Sequence, residues 1–348
     1  MQNPVILDYN DIDLTIRILN NHHKNKSSKT ISTFNMNFQA FTDLHITLGQ
    51  KTNKQASISL ALAAFDVIEK GGDKVEFRAE PELRGKKAVF LKNLKEDSAG
   101  NFTAEKVTNE KDIVDLLTKD GKKPLFYIHG WKGTLNRVIN NCKEAQPKFD
   151  RKETNYQLIP VLWPATGKYE TGRNDAENFG FALNEAFASI ISNVKMEVVT
   201  HSMGNLVLKK LAKARHDTNK EFKFDNIFMS AADVRSDIFN RDEGKNIIKM
   251  LSADTSAIVY AFQNKSDLVL ASSTVLDPDK VRVPRVIGRG TKEINVPRLG
   301  LNEKSHDNDK VEYVDVAGEI PNRLNLIAQH YYALNDFAID FYKSAKNR

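Results

Sequence analysis

Short apolar and β-branched runs, several of them followed by residues at helical spacing, constrain this chain more than any other feature. Pro124-Leu125-Phe126-Tyr127-Ile128 is apolar throughout and is fenced by Lys122-Lys123 and His129-Gly130. A run of that length without alternation suits a strand buried on both faces of a parallel sheet. Leu158–Leu162, Lys195–Thr200, Asn226–Met229, Ile258–Phe262 and Val311–Val316 read as further strands. Residues 174–192, with Phe179, Leu183, Phe187 and Ile190 on one face, read as a helix. So do 203–215, and 324–344 as a closing helix. Upstream, 111–119 carries Ile113, Leu116 and Leu117 at helical spacing, while Val75–Ala79 and Ala88–Leu91 are strand candidates. Strands alternating with helices predict an α/β fold, a three-layer αβα sandwich around a mostly parallel sheet. Residues 54–70, closed by Gly71-Gly72, read as an amphipathic helix. Residues 1–70 are then an N-terminal extension and 71–348 the main domain. Segment 278–300, rich in Arg, Pro and Gly, fits neither element. It reads as an excursion over one end of the sheet and a candidate lid.

Composition narrows the partners. Hydrophobic residues make up 41% of the 348, enough for a large core. The net charge of +6 is spread without a long block of one sign, so it reads as a solvated basic surface. Peripheral contact with an anionic lipid surface stays a candidate. Without a basic-aromatic motif, nucleic acid is not expected as a partner. Cys142, the only cysteine, allows neither an intrachain disulfide nor a multi-cysteine zinc site. The paired His22 and His23 lack a third ligand at metal spacing, so no metal is expected. The start, Met-Gln-Asn-Pro-Val-Ile-Leu-Asp, does not read as a signal peptide. No stretch reaches the roughly 18 apolar residues of a membrane span. A cytoplasmic protein is the expectation, with oligomeric state left open.

Chemistry concentrates at residues 196–208, Met-Glu-Val-Val-Thr-His-Ser-Met-Gly-Asn-Leu-Val-Leu. A β-branched strand runs into His201-Ser202-Met203-Gly204 and a helix follows at once. This is the strand-turn-helix setting of a nucleophile elbow with Ser202 at its tip. Gly204 supplies one small neighbour. Thr200 stands where glycine is usual, which implies a more open or strained turn. The helix end after Ser202 favours a developing oxyanion, and the Met203 N–H is the first donor candidate. Alternatively, Thr200-His201-Ser202 merely caps the helix. His129-Gly130-Trp131 follows a buried strand upstream, where the second oxyanion donor arises; the Trp131 N–H is the candidate.

On these residues the chain resembles an uncharacterised bacterial family of α/β-hydrolases. The resemblance rests on ordered motifs: Phe126–Trp131, Leu162–Gly167, Thr200–Asn205, Ser230–Val234, Gln263–Asp267, Pro297–Gly300 and Gln329–Tyr332. It implies the α/β-hydrolase fold and a Ser-Asp-His triad, and no defined substrate. The first 70 residues carry no such motif.

A serine hydroxyl needs a base, and the base an orienting carboxylate. In this fold they follow in the order serine, acid, histidine. His330 lies after the last strand, where the base belongs, and the resemblance points to it too; His306 is the rival. Asp267 follows the strand at 258–262 and is the favoured acid. Asp233, after the preceding strand, is the alternative acid, and Asp237 a third. The expected activity is hydrolysis of an acyl ester on a small molecule or lipid, through an acyl-enzyme and without a cofactor. A lipase or phospholipase acting on a membrane lipid is one alternative. In it, Tyr169 and the 167–178 loop border the mouth, and Arg282, Arg285, Arg289 and Arg298 meet an anionic head group unless solvated or paired with acids. A non-catalytic hydrolase-like binding module is the other.

Overall fold

The structure is a computed structural model. It describes residues 13–17, 33–37, 60–63, 68–69, 74–77, 88–96, 102–163, 165, 168–190, 194–276, 280–284, 291–301, 308–320 and 330–346. The chain divides into two compact units, Met1–Thr52 and Asn53–Arg348. The smaller holds an antiparallel pair, β1 (Asp13–Arg17) and β2 (Thr33–Asn37).

The larger unit is built on an 11-stranded sheet among the described residues. In chain order its strands are β3 (Leu60–Ala63), β4 (Ile68–Glu69), β5 (Lys74–Phe77), β6 (Val89–Glu96), β7 (Phe102–Val107), β8 (Lys123–Ile128), β9 (Tyr156–Leu162), β10 (Glu197–His201), β11 (Asn226–Ser230), β12 (Ile258–Gln263) and β15 (Val311–Asp315). Across the sheet they lie in the order β15-β12-β11-β10-β8-β9-β3-β6-β7-β5-β4. From β15 to β3 every pairing is parallel; from β3 to β4 every pairing is antiparallel. The fold is a three-layer sandwich, as the alternating pattern predicts, of the α/β-hydrolase type that the resemblance implies.

Burial on both faces explains the unbroken apolar runs. Phe126, Ile128, Ile159, Val161 and Val198 point into one core; Leu125, Tyr127, Leu158, Leu162 and Val199 point into the other. The first core is covered by helices α1 (Glu110–Leu117), α3 (Tyr169–Ala188), α4 (Gly204–Thr218) and α5 (Asp242–Ile248). The second is covered by α2 (Leu135–Arg151) and α7 (Asp336–Lys346), with Leu270 of α6 (Leu268–Leu276). Each fully buried Leu, Ile, Val or Phe contributes about 1.5–3 kcal/mol. At the amino ends of the strands the buried Glu197 accepts from Lys123 at 2.6 Å and Asn226 at 3.0 Å, so its charge is matched.

Three expectations change. The helix expected over 54–70 is absent from its described parts: Leu60–Ala63 is a strand set between β9 and β6. All four of its residues are fully buried, and a short, wholly apolar run suits a two-faced strand as well as a helix. This strand belongs to the unit Asn53–Arg348. Segment 278–300 contains a hairpin, β13 (Lys280–Pro284) with β14 (Thr291–Asn295). The closing helix begins at Asp336, where Asn335 Oδ1 caps the Ala338 N–H at 2.8 Å.

Candidate active site

Trp131, Ser202, Asp233, Asp267 and His330 lie beyond the carboxyl ends of parallel strands, where open α/β sheets form their crevice. Ser202 follows β10 directly. Its φ of 52° is left-handed, an uncommon conformation for a residue with a side chain. Gly204 makes the turn's sharpness feasible: a Cβ there would stand 2.5 Å from the Ile128 carbonyl oxygen. Thr200, in the usual glycine's place, is accommodated by bonding. Its hydroxyl donates to Asn205 Oδ1 at 2.6 Å, and the Asn205 amide donates to the Ser202 carbonyl at 2.9 Å. These two side chains clamp the turn from inside.

The His129 loop lies against the serine. A Cβ on Gly130 would be 2.8 Å from Ser202 Cβ and 3.0 Å from His201 Nδ1, so only glycine fits. The His129 ring is spent on its own loop: the Trp163 N–H donates to Nε2 at 3.4 Å, and Nδ1–H donates to the Gly130 carbonyl at 2.8 Å. Burial lowers its pKa to about 4. Trp131 packs edge-on against Tyr169 at 5.5 Å. The Trp131 ring and Met203 sulfur close over Gly172, 2.7 Å and 3.3 Å from where its Cβ would sit.

On the other flank, His330 Nδ1 donates to Asp267 Oδ2 at 2.8 Å. Asp267 is buried, and its other oxygen takes the Leu270 N–H at 3.0 Å, at the start of α6. Residues 330–332 are tied to separate elements. His201 Nε2–H donates to the His330 carbonyl at 3.0 Å, with the two rings 4.9 Å apart. The Tyr331 hydroxyl accepts from Asn141 of α2 at 3.1 Å. The Tyr332 hydroxyl accepts the Ala231 N–H at 2.9 Å.

Residues 105–313 match a family model described as alpha/beta hydrolase of unknown function (DUF900). The chain belongs to this family. No curated protein matches it. Among solved structures, this DUF900 hydrolase is similar to a Pyrobaculum calidifontis esterase at 12% identity and TM-score 0.36, covering 89% of this chain and 94% of that one. It is also similar to an esterase/lipase from an uncultured bacterium, at 10% identity and TM-score 0.30 over 66% and 76% of the two chains. An arylesterase is similar at 12% identity and TM-score 0.29, over 88% and 97%.

In the hydrolase the alternative acid, Asp233, is engaged elsewhere. Its carboxylate takes Arg298 Nε at 2.9 Å, the Tyr169 hydroxyl at 2.7 Å and the Ser273 hydroxyl at 2.8 Å. Its N–H donates to the Ser202 carbonyl at 3.2 Å, so it supports the elbow from behind. Asp237 is held by Arg235 at 2.9 Å and Arg241 at 3.2 Å. Arg298 is 1% exposed, so it does not reach out to an anionic head group. The stretch expected as a loop over 167–178 is helical from Tyr169, which opens α3. His306, Arg285, Arg289 and the pair His22 and His23 lie outside the described residues, as does the side chain of Arg282.

The ordered motifs meet in space. The Leu299 N–H donates to the Val234 carbonyl at 2.8 Å, the Asn264 N–H to Gly300 at 2.7 Å, and Gln263 Nε2 to Leu299 at 3.1 Å. Sequence reasoning left Ser273 and the Thr200–Asn205 clamp unassigned. Ser273 carries no signal, being one hydroxyl in a helix. Asn205 stood in a quoted motif, but its partner lies across the turn.

Proposed function

We propose that this hydrolase cleaves an acyl ester with Ser202 as nucleophile, His330 as base and Asp267 as the orienting acid. The observation that carries the reading is the 2.8 Å His330–Asp267 bond, made where His330 packs on His201, the residue before a serine on a left-handed strand-to-helix turn. With Nδ1–H given to the carboxylate, His330 presents Nε2 unprotonated, as a general base requires. His330 takes the Ser202 proton, Oγ attacks the acyl carbon, and the Met203 and Trp131 N–H groups receive the oxyanion. Collapse expels the alcohol, which takes its proton from His330. Water, deprotonated by His330, then releases the acid and regenerates Ser202. No cofactor enters this chemistry. A cytoplasmic location belongs to the same proposal; among the described residues no helix is long and apolar enough to cross a membrane.

The test is Ser202→Ala. Turnover of p-nitrophenyl esters and labelling by a fluorophosphonate are expected to vanish while thermal unfolding stays near wild type. Labelling that persists in the variant refutes the assignment. Across acyl-chain lengths, a rise in rate with long chains would favour the lipase alternative, and a wild-type protein that binds esters without turning them over would favour the binding module.

A further inference from the structure

A polar cavity lies where α4, the loop after β11 and α5 meet. It has a volume of about 40 Å³ and is walled by Arg173, Lys209, Arg235, Arg241, Arg298 and Glu243. About 10–15 Å³ of such space holds one water, so this cavity takes roughly three waters or one small tetrahedral oxyanion. Five cations therefore face one carboxylate. Two more carboxylates stand behind the wall: Asp233 takes Arg298, and Asp237 is shared between Arg235 and Arg241. Neither of these two pairs with Lys209.

Lys209 sharpens the point. It is half-buried on α4, two turns after Ser202, and makes no hydrogen bond or ion pair with any described residue. Its neighbour Lys210 is paired with Glu177 at 3.0 Å. Burial lowers the Lys209 pKa, and Lys210 and Arg173 lower it further against the pull of Glu243 and Glu177. Excess charge in a partly desolvated space is unfavourable until a counter-charge fills it. Guanidinium forks match the oxygen geometry of phosphate, and a lysine adds a point charge.

We propose that this cavity is a binding site for a phosphate-type oxyanion, held by Lys209 together with Arg173, Arg235 and Arg241. Arg298 joins it to the elbow, since the Asp233 carboxylate that takes this guanidinium belongs to the residue whose N–H bonds the Ser202 carbonyl. The site stands whether or not Ser202 is the nucleophile.

Full-length Ser202→Ala protein, titrated with inorganic phosphate against chloride at fixed ionic strength, separates the site from catalysis. Calorimetry is expected to show saturable one-site binding, and thermal unfolding to shift upward with phosphate. Lys209→Gln and Arg241→Gln, at half-buried and exposed positions, are each expected to weaken binding at least tenfold while unfolding normally without phosphate. A second arm in the wild-type background compares two short acyl esters that differ by a phosphate on the alcohol. If the anion is part of the substrate, Lys209→Gln lowers kcat/KM about tenfold for the phosphorylated ester alone. If it is free phosphate, the variant treats both esters as wild type does, and only the calorimetric binding is lost. Absence of saturable phosphate binding, or binding unchanged in both variants, overturns the proposal.

Discussion

His129 and His201 both sit beside the elbow with little access to water, and burial is the first cause of their lowered pKa values. His129 falls to about 4, against about 6.5 in an unfolded chain. The unfolded state therefore takes up a proton as pH drops through 6.5, while the folded state resists until about 4. Stability is fully present above pH 6.5 and is lost toward pH 4, by about 3 kcal/mol for His129 alone. Urea unfolding at pH 7.5 and at pH 5 should show this loss, and His129→Asn should reduce it while the share of His201 remains. The two candidate acids separate by a different measurement. Asp267→Asn leaves the packing in place and is expected to cut kcat about 10⁴-fold with little change in unfolding. Asp233→Asn leaves Arg298 buried without its counter-charge, and is expected to cost about 3–5 kcal/mol of stability, read from urea midpoints. The sequence presented both carboxylates at strand ends and could only rank them. What distinguishes them is Arg298, 65 residues further along, and nothing in residues 230–234 announces that partner.

Among the elements, the segment 330–332 depends most on exact anchoring. Three consecutive residues are tied to β10, α2 and the turn after β11. Tyr332→Phe would leave the buried Ala231 N–H without an acceptor, at a cost of about 1–3 kcal/mol. The expected outcome is a lowered unfolding midpoint together with a fall in kcat larger than any change in KM. The last helix was legible from its apolar spacing, but its start was not. Asn335 caps it five residues after His330, and apolar spacing alone does not mark a cap. β8 to β12 were legible because their runs are short, apolar and bounded. β3 was not, because Leu60-Ala61-Leu62-Ala63 satisfies a helix and a two-faced strand equally well. The β13–β14 hairpin was hidden by its arginines and prolines, since a pair that needs no continuous apolar face leaves little periodicity to read.

At the scale of the molecule, motifs scattered from residue 126 to residue 332 converge because parallel strands all end on one side of the sheet. Their order along the chain could be read from sequence; their mutual distances are consequences of register. β3 stands where this parallel half meets the antiparallel half, hydrogen-bonded to β9 on one side and β6 on the other. A polypeptide shortened to begin at residue 71 would lose that shared neighbour. Two interior strands would then present bare amide rows, which recruit other chains. Such a product is expected in the pellet after lysis, while one beginning at residue 53 stays in the supernatant. What looks on paper like a dispensable leader thus supplies the keystone that keeps each copy of the molecule from stitching itself to the next.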